Sequence, residues 1–356
     1  MRPNQANLQI YTFIRRMRSF FSKSSALAVM TIVITMLFAF TSNAQNMWVR
    51  SHLPARNAVT TEAIQHKVEF LTDSICGGRG TGSIGAVETA AWIAREFEKA
   101  KLMKSKGSYF QRFKTDKGIP GTNVIGFMPN SSKKAHNKYV IVGAHFDHLG
   151  TINGTMYPGA DSNASGIAAL VSLAEMFSAM KKSGKLWESN IIFVAFDGNG
   201  HDLSGSRALW KKIERGELTD PVSGGKITKK MISLMVNIDQ VGCSLSPLKS
   251  GRADYLIMLG NHSIDPNKQE RLEMCNRLYL INLEVALSYY GSENFTKMFY
   301  RLSDQRVFID NKIPAVMFTS GITMNNNKTR DNAASLNYPV LKKRIYLMYH
   351  WIEKML

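Results

Sequence analysis

IVGAHFDHLGTINGTMYPGADSNASG, at residues 141–166, and NIIFVAFDGNGHDLSGS, at residues 190–206, are the two stretches that decide the fold of this chain. Each begins with a short apolar run and then becomes polar and rich in glycine. A continuous apolar run of this length is typical of a strand that is covered on both faces of a sheet. The two stretches therefore predict two central strands, each followed at its carboxyl end by a polar loop.

Similar apolar runs alternate with amphipathic stretches along most of the chain. We predict strands at residues 139–145, 190–196, 230–239, 254–260 and 313–320, and helices at 84–101, 163–181, 204–215, 268–284 and 338–355. Strands that alternate with helices favour right-handed crossovers and a mostly parallel sheet with helices on both faces. The pattern therefore predicts one α/β domain, a three-layer sandwich around a mostly parallel central sheet, with loops at 216–229 and 325–327.

The amino-terminal 44 residues have the pattern of an export signal. An apolar run at residues 26–40 follows four basic residues, and Ser42 and Ala44 occupy the −3 and −1 positions of a signal peptidase site. Fifteen apolar residues are fewer than the roughly 20 that a membrane span needs. We predict a signal peptide at residues 1–44 and one domain at 45–356, with an uncleaved anchor as the alternative. The mature protein would then be periplasmic or extracellular in a bacterium and not integral to the membrane.

Charge and cysteine content restrict the class of partner. Removal of residues 1–44, which hold five basic and no acidic residues, lowers the formal charge from +18 to +13. Such a surplus suggests attraction to anionic surfaces of the cell envelope but identifies no ligand, and we expect no nucleic acid. The three cysteines, Cys76, Cys243 and Cys275, are too few and too scattered to form a disulfide framework.

Three residues at the ends of predicted elements form a candidate metal set. His145 ends one strand, Asp239 ends another, and Asp161 precedes a helix. Ligands gather at the carboxyl ends of strands in such sheets, and zinc favours three protein ligands with an open position. Asp147 could accept the other N–H of the His145 ring. Each residue also has an ordinary structural alternative, such as a helix cap for the aspartate.

These segments resemble the zinc exopeptidases of the bacterial leucyl aminopeptidase and aminopeptidase Y type. The resemblance extends over about residues 60–355 and includes GGRGTG at 77–82, TNVIG at 122–126, the DG…LSGS frame at 197–206 and SD at 303–304. It implies the zinc-exopeptidase fold and two zinc ions that share a bridging aspartate. In this sequence the first zinc would bind His145, Asp239 and the bridging Asp161, and a cis peptide bond would follow Asp161.

The chain departs from the pattern of that family at the positions of its chemistry. The Glu-Glu pair of the family aligns with Asn199 and Gly200, its late Tyr-His motif with Asn326 and Asn327, and the histidine after SD with Gln305. The general base would thus be Asn199, whose amide cannot take a proton at neutral pH. Loss of a general base costs roughly 10²–10⁴-fold in rate. His201 and Asp202 follow at once and are candidate substitutes.

Three functions are compatible with this sequence. The first is a catalytically impaired member of the family, with at most one zinc ion or none, that binds peptides or a cell-envelope ligand. The second is an active metal-dependent aminopeptidase with His201 or Asp202 as a substitute base. The third is an envelope-binding protein that acts through its basic surface.

Overall fold

The computed structural model describes residues 30–31, 49–131, 137–245 and 251–356, and residues 52–356 form one compact unit. The predicted export segment at residues 1–44 lies outside the described part, apart from Met30 and Thr31. The division into a signal peptide at 1–44 and a domain at 45–356 therefore stays a prediction.

Eight strands of the described chain form the central sheet. They are β1 (Phe110–Lys114), β2 (Pro120–Met128), β3 (Tyr139–His145), β6 (Asn190–Phe196), β7 (Ile232–Ile238), β8 (Tyr255–Leu259), β9 (Glu284–Ala286) and β10 (Ala315–Thr319), with β4 (Gly150–Ile152) and β5 (Thr155–Tyr157) as a separate hairpin. Their order across the sheet is β1-β2-β6-β3-β7-β10-β8-β9. The four central strands, β6, β3, β7 and β10, are mutually parallel. Their carboxyl ends therefore share one edge of the sheet.

Nine helices of the described domain lie around the sheet. They are α1 (Leu53–Asn57), α2 (Thr61–Thr72), α3 (Ile84–Lys99), α4 (Ser165–Lys182), α5 (Ser204–Glu214), α6 (Pro266–Leu278), α7 (Glu293–Phe299), α8 (Gln305–Asp310) and α9 (Tyr338–Glu353). Helices α2, α3, α4 and α9 contribute to one apolar core, and α5 and α8 contribute to a second core. The predicted mostly parallel α/β architecture is confirmed.

Strand β3 shows how one run of residues supports both cores. All seven of its residues are buried. Val140 and Val142 belong to the first core, whereas Tyr139 and Ile141 belong to the second, because successive side chains of a strand point to opposite faces. This alternation explains why a central strand reads as a continuous apolar run.

Helix α4 is the most deeply buried helix of the first core. Together with the turn before it, Ala160–Lys182 is apolar and long enough to cross a membrane, but 83% of its most apolar window is buried within the domain. Its apolar character is therefore explained by its central position under the sheet.

The edges of the sheet differ from the sequence-based prediction. Strand β2 was not predicted, because Gly121 and Gly126 interrupt its apolar pattern. Both glycines are required by neighbours: a Cβ at Gly121 would clash with the Phe113 ring, and one at Gly126 would lie 2.6 Å from a methyl carbon of Leu102. The helix predicted at 268–284 ends at Leu278, and the short edge strand β9 follows it.

Candidate functional site

A cavity of about 350 Å³ opens at the carboxyl edge of the four parallel strands. Residues from the ends of β3, β7 and β10 and from the loops around them line it. They are His145, Asp147, His148, Leu149, Ser162, Asn199, Gly200, Asp239, Gln240, Tyr289, Phe299, Leu302, Met317, Thr319, Ile322, Asn326 and Asn327. The volume lies within the range of small-ligand sites in proteins.

His145 and Asp239 meet on the polar floor of this cavity. His145 is the last residue of β3, and Asp239 directly follows β7. Because these strands pair in parallel, both residues lie at the same edge of the sheet. Nε2 of His145 lies 3.4 Å from Oδ1 of Asp239, and both side chains are buried. The structure thus brings these two predicted metal ligands together as an ion pair.

Asp147 lies on the other side of the His145 ring. Nδ1 of His145 is 3.1 Å from the backbone oxygen of Asp147 and 3.6 Å from its carboxylate. That carboxylate also accepts hydrogen bonds from the backbone N–H groups of Asn199, at 2.9 Å, and Gly200, at 3.1 Å. Burial acts to lower the pKa of His145, but Asp239 and Asp147 outweigh it and raise the pKa well above its ordinary value. The two carboxylates therefore favour the protonated form of the ring.

Asp161, the third predicted ligand, is not directed into this cavity. Its Oδ1 accepts hydrogen bonds from the backbone N–H groups of Gly242, at 2.8 Å, and Cys243, at 3.2 Å. The next side chain along the turn, Ser162, lines the cavity instead. The predicted convergence of Asp161 with His145 and Asp239 is therefore wrong, because the chain turns by one more residue before α4 begins.

The backbone between Gly159 and Ser165 explains this displacement. Ala160–Ala164 forms a distorted π-helical turn in which Ser162 and Asn163 have non-helical backbone angles. The carboxylate of Asp331 holds the turn by accepting the N–H groups of Asp161, at 2.7 Å, and Ser162, at 3.1 Å. The cis peptide bond lies between Ser162 and Asn163 and not after Asp161, where the resemblance implied it.

Asn199 and Gly200, which occupy the positions of the family's Glu-Glu pair, both line the cavity. Nδ2 of Asn199 donates to a carboxylate oxygen of Asp304 at 3.0 Å. Gly200 presents no side chain, and a Cβ built there would have Asp147 Oδ2 at 3.8 Å, an ordinary contact distance. The place of the base is therefore taken by an amide, and the place of the neighbouring ligand is open.

The candidate substitute bases lie elsewhere. Neither His201 nor Asp202 is among the described residues that line the cavity. The carboxylate of Asp202 instead pairs with Arg207 at 2.9 Å on the surface. Of the described carboxylates, only Asp147 and Asp239 line the cavity, and the contact with His145 lowers the pKa of both against the opposing effect of burial. Carboxylates that release their protons this readily are weak general bases.

Two further buried acids, Asp197, which precedes the Asn199 position as another neighbour that could replace the base, and Asp304 of the SD motif, support the loops of the cavity. Asp197 accepts hydrogen bonds from the Thr81 hydroxyl at 2.8 Å and the Thr122 backbone at 2.9 Å, and burial raises its pKa to about 7. Burial also raises the pKa of Asp304, the partner of Asn199, to about 6. The SD and DG motifs were the only signals of these residues in the sequence.

Part of the cavity wall is apolar. It is formed by Tyr289, Phe299, Leu302, Met317 and Ile322. The two faces together suit a ligand with one polar end and one apolar side chain, since small-ligand sites combine apolar walls with a few placed polar groups.

Zinc, the metal that the resemblance implies, requires a particular number and type of ligand atoms. A catalytic zinc ion takes three protein ligands and keeps one position open. Here His145 and Asp239 are the two strong donors at the ligand positions of the family, whose other positions offer the hydroxyl of Ser162, the amide of Asn327 and no side chain at Gly200. Asp147 and His148 also line the cavity, but among the described residues neither forms a three-donor cluster with this pair. The cavity is one protein ligand short, so the residues present do not fit a catalytic zinc ion.

Comparisons with known proteins agree with the resemblance found in the sequence. The model of peptidase family M28 matches residues 123–352. A probable zinc metalloprotease of Pyrenophora tritici-repentis is 25% identical over 193 residues, which are 51% of this chain and 38% of that protein. The match thus covers less than half the length of that relative.

Solved structures show the same fold. The LapA aminopeptidase of Legionella pneumophila superposes with a TM-score of 0.63 at 17% identity, over 86% of this chain and 74% of that one. A glutaminyl cyclase of Macrostomum lignano gives a TM-score of 0.63 at 18% identity, over 85% of this chain and 91% of that one. One fold thus carries two reactions, so the chemistry here must be argued from the cavity itself.

Proposed function

We propose that this chain, which belongs to peptidase family M28, is an exported protein that binds a ligand in its cavity and has lost peptidase activity. The domain is of the zinc-peptidase type, and the family implies zinc as the metal to test. The observation that carries the proposal is the ion pair between His145 and Asp239, 3.4 Å apart, which no third imidazole, thiol or carboxylate of the described residues joins to form a three-donor cluster.

The absence of a base at residue 199 supports the loss of hydrolysis. Peptide hydrolysis needs a group that removes a proton from the attacking water. Asn199 cannot do this, and its amide already donates to Asp304. Its replacement of a glutamate alone would slow the reaction by roughly 10²–10⁴-fold.

The cavity itself supports binding. The apolar residues of its wall, among them Tyr289 and Ile322, can enclose an apolar side chain. The backbone groups and amides of the floor can form hydrogen bonds with the polar end of a peptide. We therefore propose the end of a peptide, or a similar cell-envelope component, as the ligand. We expect at most one zinc ion in this cavity.

Hydrolysis and binding are measured on the same purified chain. We expect no turnover of leucyl or other aminoacyl amides with added zinc, and saturable binding of short apolar peptides by calorimetry. Met317→Arg would block the apolar wall and abolish binding, whereas Lys211→Glu on the outer face of α5 serves as the control. Turnover in the usual range of roughly 1–10³ per second, abolished by His145→Ala, would contradict the proposal.

Restoration of the lost groups is the stricter experiment. Asn199→Glu, Gly200→Glu and Asn327→His together restore a base and two ligands, but Asp161 cannot bridge two metals from its position. We therefore expect the triple variant to stay inactive and the addition of Ser162→Asp to raise both zinc stoichiometry and turnover. Full activity of the triple variant would mean that Asp161 reaches the cavity.

Export is tested separately by the amino terminus of the protein recovered from the periplasm or medium. A mature chain that begins at Gln45 supports cleavage after Ala44. An intact amino terminus in the membrane fraction supports the retained anchor instead.

A further inference from the structure

We propose a second, structural metal site that is formed by His52, His350 and Glu353 and is independent of the cavity. Each of these buried residues offers one ligand atom, and the three atoms lie within 4.8 Å of one another. Two imidazoles and one carboxylate form a donor set that zinc and related divalent ions prefer.

The three ligands come from opposite ends of the domain. His350 and Glu353 are three residues apart on α9 and therefore share one face of the helix. His52 precedes α1 and lies 301 positions away in the sequence from Glu353, yet its Nε2 is 2.9 Å from Oε2 of that residue. Packing of the two helical segments thus brings the donors together without any local motif.

The surroundings hold these side chains in place. The Tyr349 hydroxyl donates to Oε1 of Glu353 at 3.3 Å, and Lys185 Nζ lies 3.5 Å from the same oxygen. His52 Nε2 contacts both carboxylate oxygens, Oε1 at 3.2 Å and Oε2 at 2.9 Å. The ring of His350 stacks on that of Tyr279, with centroids 3.4 Å apart. The tyrosine partners orient the ligands as the outer partners of metal sites do, whereas the Lys185 ammonium would have to move away from Glu353 when a cation binds.

One ring nitrogen of His350 indicates that a ligand binds here. Nδ1 of His350 is buried and has no hydrogen-bond partner among the described residues, and the His350 side chain as a whole is only 7% exposed. Buried polar atoms of native proteins are nearly always paired. A bond from this imidazole to a metal ion would satisfy the cluster.

The geometry needs only a small adjustment to hold zinc. Ligands at 2.0–2.2 Å from a tetrahedral zinc ion lie about 3.4 Å apart. The ligand atoms lie within 4.8 Å of one another, so metal binding would have to draw them together by about 1 Å. With three protein ligands and a water molecule, the ion would fasten the start of the domain to its last helix.

Metal titration of the full chain tests the site. Chelator-treated protein is titrated with Zn²⁺ by calorimetry and with Co²⁺ by visible absorption, which responds to four-coordinate ligation. We expect one tightly bound ion. Glu353→Gln, which keeps the size of the side chain, and His350→Ala should each weaken binding by at least about 100-fold. Zinc should raise the Tm of the wild type and leave that of these variants unchanged.

Two histidine variants serve as matched controls. His145→Ala changes the cavity, and His66→Ala changes a surface histidine whose side chain is 79% exposed. Both should keep the bound ion. Should His350→Ala fail to fold, Tyr349→Phe tests the positioning of Glu353 and should weaken binding about 10-fold. The proposal is overturned if the wild type binds no ion, if Glu353→Gln binds as the wild type does, or if His145→Ala alone removes the ion.

Discussion

Buried charged residues outside the cavity and those that line it contact different kinds of partner. Arg79 donates to four backbone carbonyls, those of Phe146, Leu71, Pro158 and Gly159, at 2.5–2.7 Å. The guanidinium therefore ties together loops that are distant in sequence. In the cavity, His145 instead contacts the side chains of Asp147 and Asp239, so one ring faces two carboxylates.

This difference distinguishes the residues that stabilise the fold, here called the scaffold, from those that line the candidate site. The arginine contacts join these loops without using any charge of the cavity, so we expect the fold to tolerate substitutions inside the cavity. Arg344 plays the same part on the far side, where it donates to the carbonyls of Tyr255, Val241 and Cys243 at 2.7–2.8 Å. The cavity thus keeps its lining although Asn199 and Gly200 stand at the positions of the family's Glu-Glu pair.

Removal of the scaffold charge should have the largest effect. Arg79→Ala leaves four carbonyls without their donor in a fully buried place, and we expect the free energy of unfolding to fall by about 4–5 kcal/mol. Urea unfolding measures the loss. Arg95→Ala, at an exposed position of α3, should change stability by less than about 0.5 kcal/mol. Equal losses in the two variants would remove the distinction between scaffold and surface.

The cavity charges should show a smaller and coupled effect. Asp239→Asn removes one partner of the buried pair, and we expect a loss of about 3 kcal/mol. In the double variant with His145→Gln, the loss should fall short of the sum of the single losses by at least about 1 kcal/mol. Urea unfolding of all four proteins without metal gives the coupling. Additive losses would mean that the two side chains do not offset each other.

Substitution of Asp161 tests whether this residue belongs to the scaffold or to the cavity. Burial, and then the carboxylate of Asp331, raise the pKa of Asp161 from 3.8 to about 6. The native state therefore keeps this proton where the unfolded state has lost it, so stability falls as the pH rises through this window and stays lower above it. Asn cannot lose a proton, and its amide oxygen can still accept the bonds from Gly242 and Cys243.

We expect Asp161→Asn to be more stable than the wild type at pH 8 by about 1–2 kcal/mol, and this advantage to disappear at pH 4. Unfolding at the two pH values measures it. A wild type that gains stability between pH 4 and 8 relative to the variant would mean that a cation faces Asp161. Metal binding should be unchanged in this variant, as expected of a residue of the scaffold.

A surface pair gives the smallest effect. Asp254 is bound by Arg252 and Lys343, each at 2.8 Å, and hydrogen bonds from Arg252 are the main cause of its lowered pKa. Its contribution is present above the unfolded pKa and lost as the pH falls. Solvent screens such pairs, so we expect Asp254→Asn to cost less than about 1 kcal/mol, and less in 1 M salt. A loss of stability as large as that of Asp239→Asn would mean that burial does not determine how much a charged contact contributes to stability.

Local pattern was sufficient for the centre of the fold. Strands β3 and β6 are buried on both faces, so apart from the terminal His145 and Asn190 their residues are apolar or glycine, and the runs are visible without any partner. The edges were harder to predict. Strand β2 depends on glycines that its neighbours require, and β9 has only three residues.

The sequence by itself determined that His145 and Asp239 share one edge of the sheet, because parallel strands end on the same side. It also determined that Asn199 lacks the chemistry of a base. Only the tertiary structure decided that Ser162 faces the cavity in place of Asp161, since a single step around an irregular turn reverses the direction of a side chain. Only the tertiary structure joined His52 to Glu353, because contacts across 301 positions arise from packing and leave no local pattern in the chain.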